Sequence, residues 1–182
     1  MVFQTPRLLP WRTLAENIAL IPGAGDLARV RELLAEVGLG DAADLHPERV
    51  SLGMQRRAAV ARALAVDPAL LLLDEPLVSL DADSASSMRE VLRLAMERTD
   101  AVVLIATHDR SEALALADRV IELDGRPAQI IRNRHNPLDR AARRDPAAVG
   151  EIVADWFGQA ERPAGRASGG PAPQAKMTER GS

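Results

Sequence analysis

Apolar residues along this chain recur in two rhythms. In the first, Leu27, Val30, Leu34 and Val37 stand three or four positions apart. That spacing gathers side chains on one helical face, so it predicts a helix over Asp26 to Val37, which Gly38 and Gly40 can stop. Thr13 to Leu20 reads the same way, and Ser51 to Val66 is rich in Ala and Arg with no breaker after Gly53. Met88, Val91, Leu92 and Ala95 form another helical stripe, and Ser111 to Ala117 is a short helix. Ala141 to Phe157 is helical with an interruption near Pro146. The second rhythm is a short run dominated by apolar residues. Ala69 to Leu73, after Pro68, and Ala101 to Ala106 read as buried strands, Arg119 to Leu123 as a third, and Pro127 to Ile131 as a fourth. Buried strands separated by helices predict an α/β fold with a mostly parallel sheet.

Composition narrows the chemistry. The chain has 182 residues, about 47% of them apolar, and a net charge of −3. A balance on the acidic side argues against a nucleic-acid partner recognised through a basic field. With no cysteine, disulfides, thiolate nucleophiles and Cys-based metal sites are excluded. Of the 23 basic residues only Lys176 is a lysine, so lysine chemistry is excluded from everything before it. Residues 159–182, rich in Gly, Pro, Ala and charge, are expected to be a disordered tail. No apolar stretch reaches the roughly 18 residues that a membrane-spanning helix needs. No signal-peptide pattern is read at the start, so the default expectation is a cytoplasmic location.

The strongest local feature is Leu70-Leu71-Leu72-Leu73-Asp74-Glu75-Pro76, an apolar run that ends in an acidic pair. The carboxyl end of a parallel strand faces the ligand crevice of such folds. An Asp there can hold Mg²⁺ through water, and a Glu beside it can orient or deprotonate an attacking water. An acidic turn after a strand is the plainer alternative. Upstream, Ser51 and Gly53 open a helix whose free N–H groups favour an anion. A simple N-cap explains Ser51 equally well. Asp81 is placed to cap the next helix, and His108 follows the second strand, where it contacts a phosphate or is merely a polar loop residue. Gln4 carries almost no signal alone.

Order and spacing join these fragments. Gln4, then Val50-Ser51-Leu52-Gly53-Met54, then Leu70 to Glu75, then Val78 to Asp81, then His108 resemble the ATP-binding subunit of an ABC transporter. They match its Q-loop, signature, Walker B, D-loop and switch histidine in turn. Arg7 to Ile18, the Ser-Leu-Gly-Met wording and Asp74-Glu75-Pro76-Leu77-Val78-Ser79-Leu80-Asp81-Ala82 look like importers of nitrate, sulfonate or taurine. Leu52 and Met54 depart from the common signature, which has a glycine and a glutamine there.

The resemblance implies a P-loop NTPase of the ABC type with ATP and Mg²⁺ as ligands. It implies that Glu75 polarises water, Asp74 and Gln4 serve Mg²⁺, His108 contacts the γ-phosphate, and Ser51, Gly53 and Asp81 act in trans on a partner's nucleotide. It further implies a second ATP-binding subunit, a membrane permease docked near Leu8, Leu9, Pro10 and Trp11, and, indirectly, a solute-binding protein. The subunit would then lie on the inner face of the membrane. The family's Gly-rich Walker A loop ends in Gly-Lys, and no such loop is found here. The expected organisation is a partial nucleotide-binding domain over residues 1–131 that lacks the N-terminal strands and that loop, with a helical subdomain near 13–66. A helical extension follows at 132–158. Such a C-terminal portion is expected to leave a sheet edge bare and to associate. It is also expected to hydrolyse ATP negligibly by itself, as a pseudo-subunit or decayed fragment would.

Overall fold

The computed structural model describes residues 1–158, so the tail predicted at 159–182 lies outside the described residues. The helices begin where the sequence places caps. In α1 (Leu14–Ala19) the Thr13 hydroxyl accepts from the Glu16 amide while the Glu16 carboxylate accepts from the Thr13 amide. In α2 (Leu27–Glu36) the Asp26 side chain accepts from the Arg29 amide, and Gly38, at φ +69°, turns the chain away at the far end. Ser51 caps α3 (Leu52–Leu64) through the Met54 amide. Asp81 caps α4 (Ala82–Arg98), whose buried stripe is Met88, Val91, Leu92 and Ala95.

Three parallel segments lie side by side at the centre. Strand β1 (Leu70–Asp74) pairs in parallel with β2 (Val102–Ala106), Leu70 opposite Val102 and Asp74 opposite Ala106. On the other side of β1, Val2 forms a parallel bridge to Leu73. Leu71 and Leu73 are buried against a continuous core of Leu14, Ile18, Val30, Leu34, Val60, Met88 and Leu92. That core unites α1, α2, α3 and α4 with the β1 face.

Two expectations are corrected here. Ala101 to Ala106 is not a buried strand, because Val102 is 68% and Leu104 58% exposed. Val103 and Ile105 pack on the core, whereas the opposite face of β2 meets no cover among the described residues. The α/β architecture with a parallel central sheet holds, but the third and fourth runs do not join that sheet. The run at Arg119 forms β3 (Arg119–Asp124), which pairs antiparallel with β4 (Gln129–His135) as a separate two-stranded sheet. An apolar run signals burial, but it cannot say whether each face finds a partner.

Helix α5 (Arg110–Leu116) and helix α6 (Pro146–Phe157) share a second cluster of Leu114, Ala115, Val149 and Phe157. Pro146 occupies the first turn of α6, where its missing N–H costs nothing, and a short 3₁₀ turn at Ala142–Arg144 precedes it. Helix α3 ties distant segments together. The Arg62 guanidinium donates to the carbonyls of Arg7 and Pro6, both at 2.9 Å. Arg57 donates to the Val37 carbonyl at 3.1 Å, Gln55 to that of Pro47 at 3.0 Å, and Arg56 to that of Val78.

Candidate functional site

The end of β1 carries the chemistry. Glu75 follows the strand with φ +47°, and its amide donates to the Ala106 carbonyl at 2.9 Å. A positive φ is unfavourable for a residue with a Cβ, so local strain is stored where the acidic pair leaves the strand. Glu75 Oε1 lies 2.8 Å from Nδ1 of His108, which comes from the end of β2. The parallel register juxtaposes the two strand ends, so residues 33 positions apart in sequence touch. Hydrogen bonding to Glu75, then its charge, raises the His108 pKa above the ordinary histidine value, with smaller contributions from Asp109 and Glu112.

Asp74 is half-buried beside this pair, and its amide donates to the Val2 carbonyl at 3.0 Å. Exposed Gln4 follows two residues beyond Val2, in a bend past the bridge. Among the described residues no group of three His, Cys, Asp or Glu side chains could hold a metal ion. A single carboxylate such as that of Asp74 suits Mg²⁺, which keeps most of its waters and binds through phosphate oxygens.

Gly53 and the cap of α4 meet at a second place, where α3 and α4 begin. Gly53 is buried, and a Cβ added there would stand 3.2 Å from Cβ and 3.3 Å from Oγ of Ser84. Glycine at 53 thus permits close helix–helix packing, a role the sequence reading did not assign. Asp81 Oδ1 accepts from the Ser84 amide at 2.9 Å, and its hydrogen bonds to Ser84 hold its carboxyl below the usual range. Ser51 is exposed, and its Oγ accepts from the Met54 amide at 3.2 Å. Leu52 is 42% exposed at the start of α3. Glu75 and His108 are brought into contact, as are the starts of the two helices.

Sequence reasoning missed three polar residues around this site. Buried Arg56 holds the Val78 carbonyl of the segment that leads to Asp81. Buried Glu112 accepts the Thr107 hydroxyl at 2.6 Å. Buried Asn17 fastens the Leu9 to Thr13 backbone. Each is a polar residue on an otherwise apolar helix face, and that was the available signal.

Comparison with known proteins settles the lineage. The family described as "ABC transporter" matches residues 1–78. The aliphatic sulfonates import ATP-binding protein SsuB 1 of Pseudomonas aeruginosa is 45% identical over 150 residues, covering 82% of this chain and 59% of that protein. The chain belongs to the ABC transporter ATP-binding family. The sulfate/thiosulfate import ATP-binding protein CysA 2 of Chromobacterium violaceum is 44% identical over 180 residues, covering 91% of this chain and 46% of that protein. Among solved structures, the dimeric post-hydrolysis state of the ATP-binding cassette MJ0796 bound to ADP and Pi is similar. Its TM-score is 0.61 at 30% identity, covering 76% of this chain and 62% of that one. The chain spans about three fifths of the length of the first curated relatives it matches, 59% for SsuB 1.

Proposed function

We propose that this chain contributes to an ATP site that powers import of an oxyanionic solute of the sulfonate or sulfate class. The observation that carries the reading is the Glu75–His108 contact at the carboxyl ends of two parallel strands, with Asp74 beside it. Glu75 orients and deprotonates the attacking water, and His108 donates a hydrogen bond where the terminal phosphate develops charge. Asp74 and Gln4 would hold Mg²⁺, which would supply neutralisation of phosphate charge. Ser51 and the Gly53 turn present the start of α3 to the nucleotide of a second ATP-binding subunit, and Asp81 fixes the start of α4 next to it. The solute class follows the printed names of the SsuB and CysA relatives. A permease partner at Leu8 to Trp11 suits the exposure of Trp11, 69%, beside half-buried Leu8 and Leu9.

Within the 182 residues Lys176 is the single lysine, so no lysine from residues 1–158 neutralises phosphates. The chain alone is therefore expected to hydrolyse ATP negligibly. Phosphate release by the purified chain, with Glu75→Gln as control, tests this. A turnover abolished by Glu75→Gln would overturn the expectation of inactivity. Supplying a complete importer subunit in trans then tests the site itself: turnover that falls when Ser51 is replaced by Arg supports it, and indifference to that change refutes it.

A further inference from the structure

Glu112 sits on α5 with 6% of its surface exposed. Its Oε2 accepts the Thr107 hydroxyl at 2.6 Å, while Oε1 has no partner. The Thr107 Oγ1 in turn accepts from the Asp109 amide at 3.1 Å. The Asp109 carboxylate accepts from the amides of Ser111 at 2.8 Å and Glu112 at 3.1 Å. His108 stands between Thr107 and Asp109, and both neighbours are anchored to the first turn of α5. The imidazole itself is largely exposed and makes its contact with Glu75 at 2.8 Å.

Burying a carboxyl with one oxygen unsatisfied is unfavourable. Desolvation, then the charges of Asp109 and Glu75, raises the Glu112 pKa, whereas the Thr107 hydrogen bond and His108 oppose that rise. An apolar residue at 112 would avoid this cost, yet it could not grip Thr107. We propose that Glu112 is a positioning residue: from α5 it holds Thr107, and through that tie it keeps the His108 imidazole against Glu75. The inference deepens the reading of Glu75 and His108 as the reacting pair. It assigns the rigidity of that pair to a side chain that touches neither nucleotide nor metal in the proposed site.

The test follows His108 in the full chain by NMR, using ¹³C-labelled histidine and assigning the Cε1–Hε1 signal by His108→Gln. Glu75→Gln shifts this signal in the parent chain, because the two side chains touch. In a Glu112→Leu background the same Glu75→Gln change is expected to shift it by about a quarter as much or less, the coupling being lost as in a double-mutant cycle. Glu112→Gln keeps an acceptor for Thr107 and is expected to restore the full response. The His46 and His135 signals report whether the fold survives. If Glu112→Leu does not fold, Thr107→Val cuts the same tie from its other end and is expected to give the same reduced response. An undiminished response in these backgrounds would overturn the proposal, as would failure of Glu112→Gln to restore it. The readout needs no nucleotide, so a failure of the ATP reading leaves the coupling intact and is told apart from a failure of the tie.

Discussion

Asn17 offers a quantitative test of how the Leu8 to Trp11 segment is held. Its side chain is 2% exposed in the middle of α1. Oδ1 accepts from the Leu9 amide at 2.7 Å, and Nδ2 donates to the carbonyls of Leu9, Arg12 and Thr13 at 3.1, 3.2 and 2.9 Å. Replacement by alanine removes all four bonds, but the losses are unequal. The Leu9 carbonyl still accepts from the Arg12 amide, and the Thr13 carbonyl from the amide of residue 17. The Arg12 carbonyl belongs to an exposed residue and can turn to water. The half-buried Leu9 amide is left without a partner, which costs roughly 1–3 kcal/mol. Alanine returns about 0.5 kcal/mol of helix propensity. Adding a few tenths for the weakened carbonyls, Asn17→Ala should lower stability by about 2 kcal/mol. Urea unfolding followed by far-UV circular dichroism measures this, and Trp11 fluorescence reports the loosened segment. Asn17→Asp is the sharper control, because it keeps the size and the acceptor for Leu9 but points a carboxylate at three carbonyls. It should be at least as damaging. A loss below about 0.5 kcal/mol for both, within the range of ordinary surface changes, would refute the reasoning.

Other predictions concern the site and its supports. The folded-state pKa of His108 is raised, so its pairing with Glu75 stabilises fully below the unfolded-state pKa and is lost as pH rises through the folded one. NMR titration should find His108 above the ordinary histidine value, and Glu75→Gln should bring it down; an unchanged midpoint would contradict the contact. Gly53→Ala gains about 1 kcal/mol of helix propensity and loses a similar amount against Ser84, so it should be nearly neutral. Gly53→Val, with two further methyls at the same contact, should cost about 2 kcal/mol in urea unfolding, and Ser84→Gly should recover part of that loss. Arg56→Met leaves the Val78 carbonyl without its charged donor and should cost about 1.5–3 kcal/mol, with Arg56→Lys failing to rescue fully because the more strongly hydrated ammonium is costlier to bury at that position.

What the sequence made legible was local. The stripe Met88, Val91, Leu92 and Ala95 is the buried face of α4, and Thr13, Asp26, Ser51 and Asp81 are the helix caps their residue types suggest. Strand positions were legible too, since β1 and β2 fall where the apolar runs lie. The environment of those strands was not, because Val102 and Leu104 are apolar yet exposed, and hydropathy reports preference rather than occupancy. The Glu75–His108 contact was readable only as a juxtaposition of strand ends, since its distance depends on the register of β1 with β2. The ties of Asn17, Arg56 and Glu112 escaped detection for a common reason. Their partners are mostly backbone groups or a hydroxyl, and backbone atoms leave no residue-type signature to pair with.

Helix α3 carries a mechanical consequence. Arg56, Arg57 and Arg62 each grip backbone carbonyls from a different part of the chain, and burial lowers their pKa values from that of ordinary arginine. These grips stay cationic across the working pH range, so acid or base does not release them. The helix therefore acts as a common anchor: the Pro6–Arg7 segment, the end of α2 and the Val78 turn are all fastened to one buried rod.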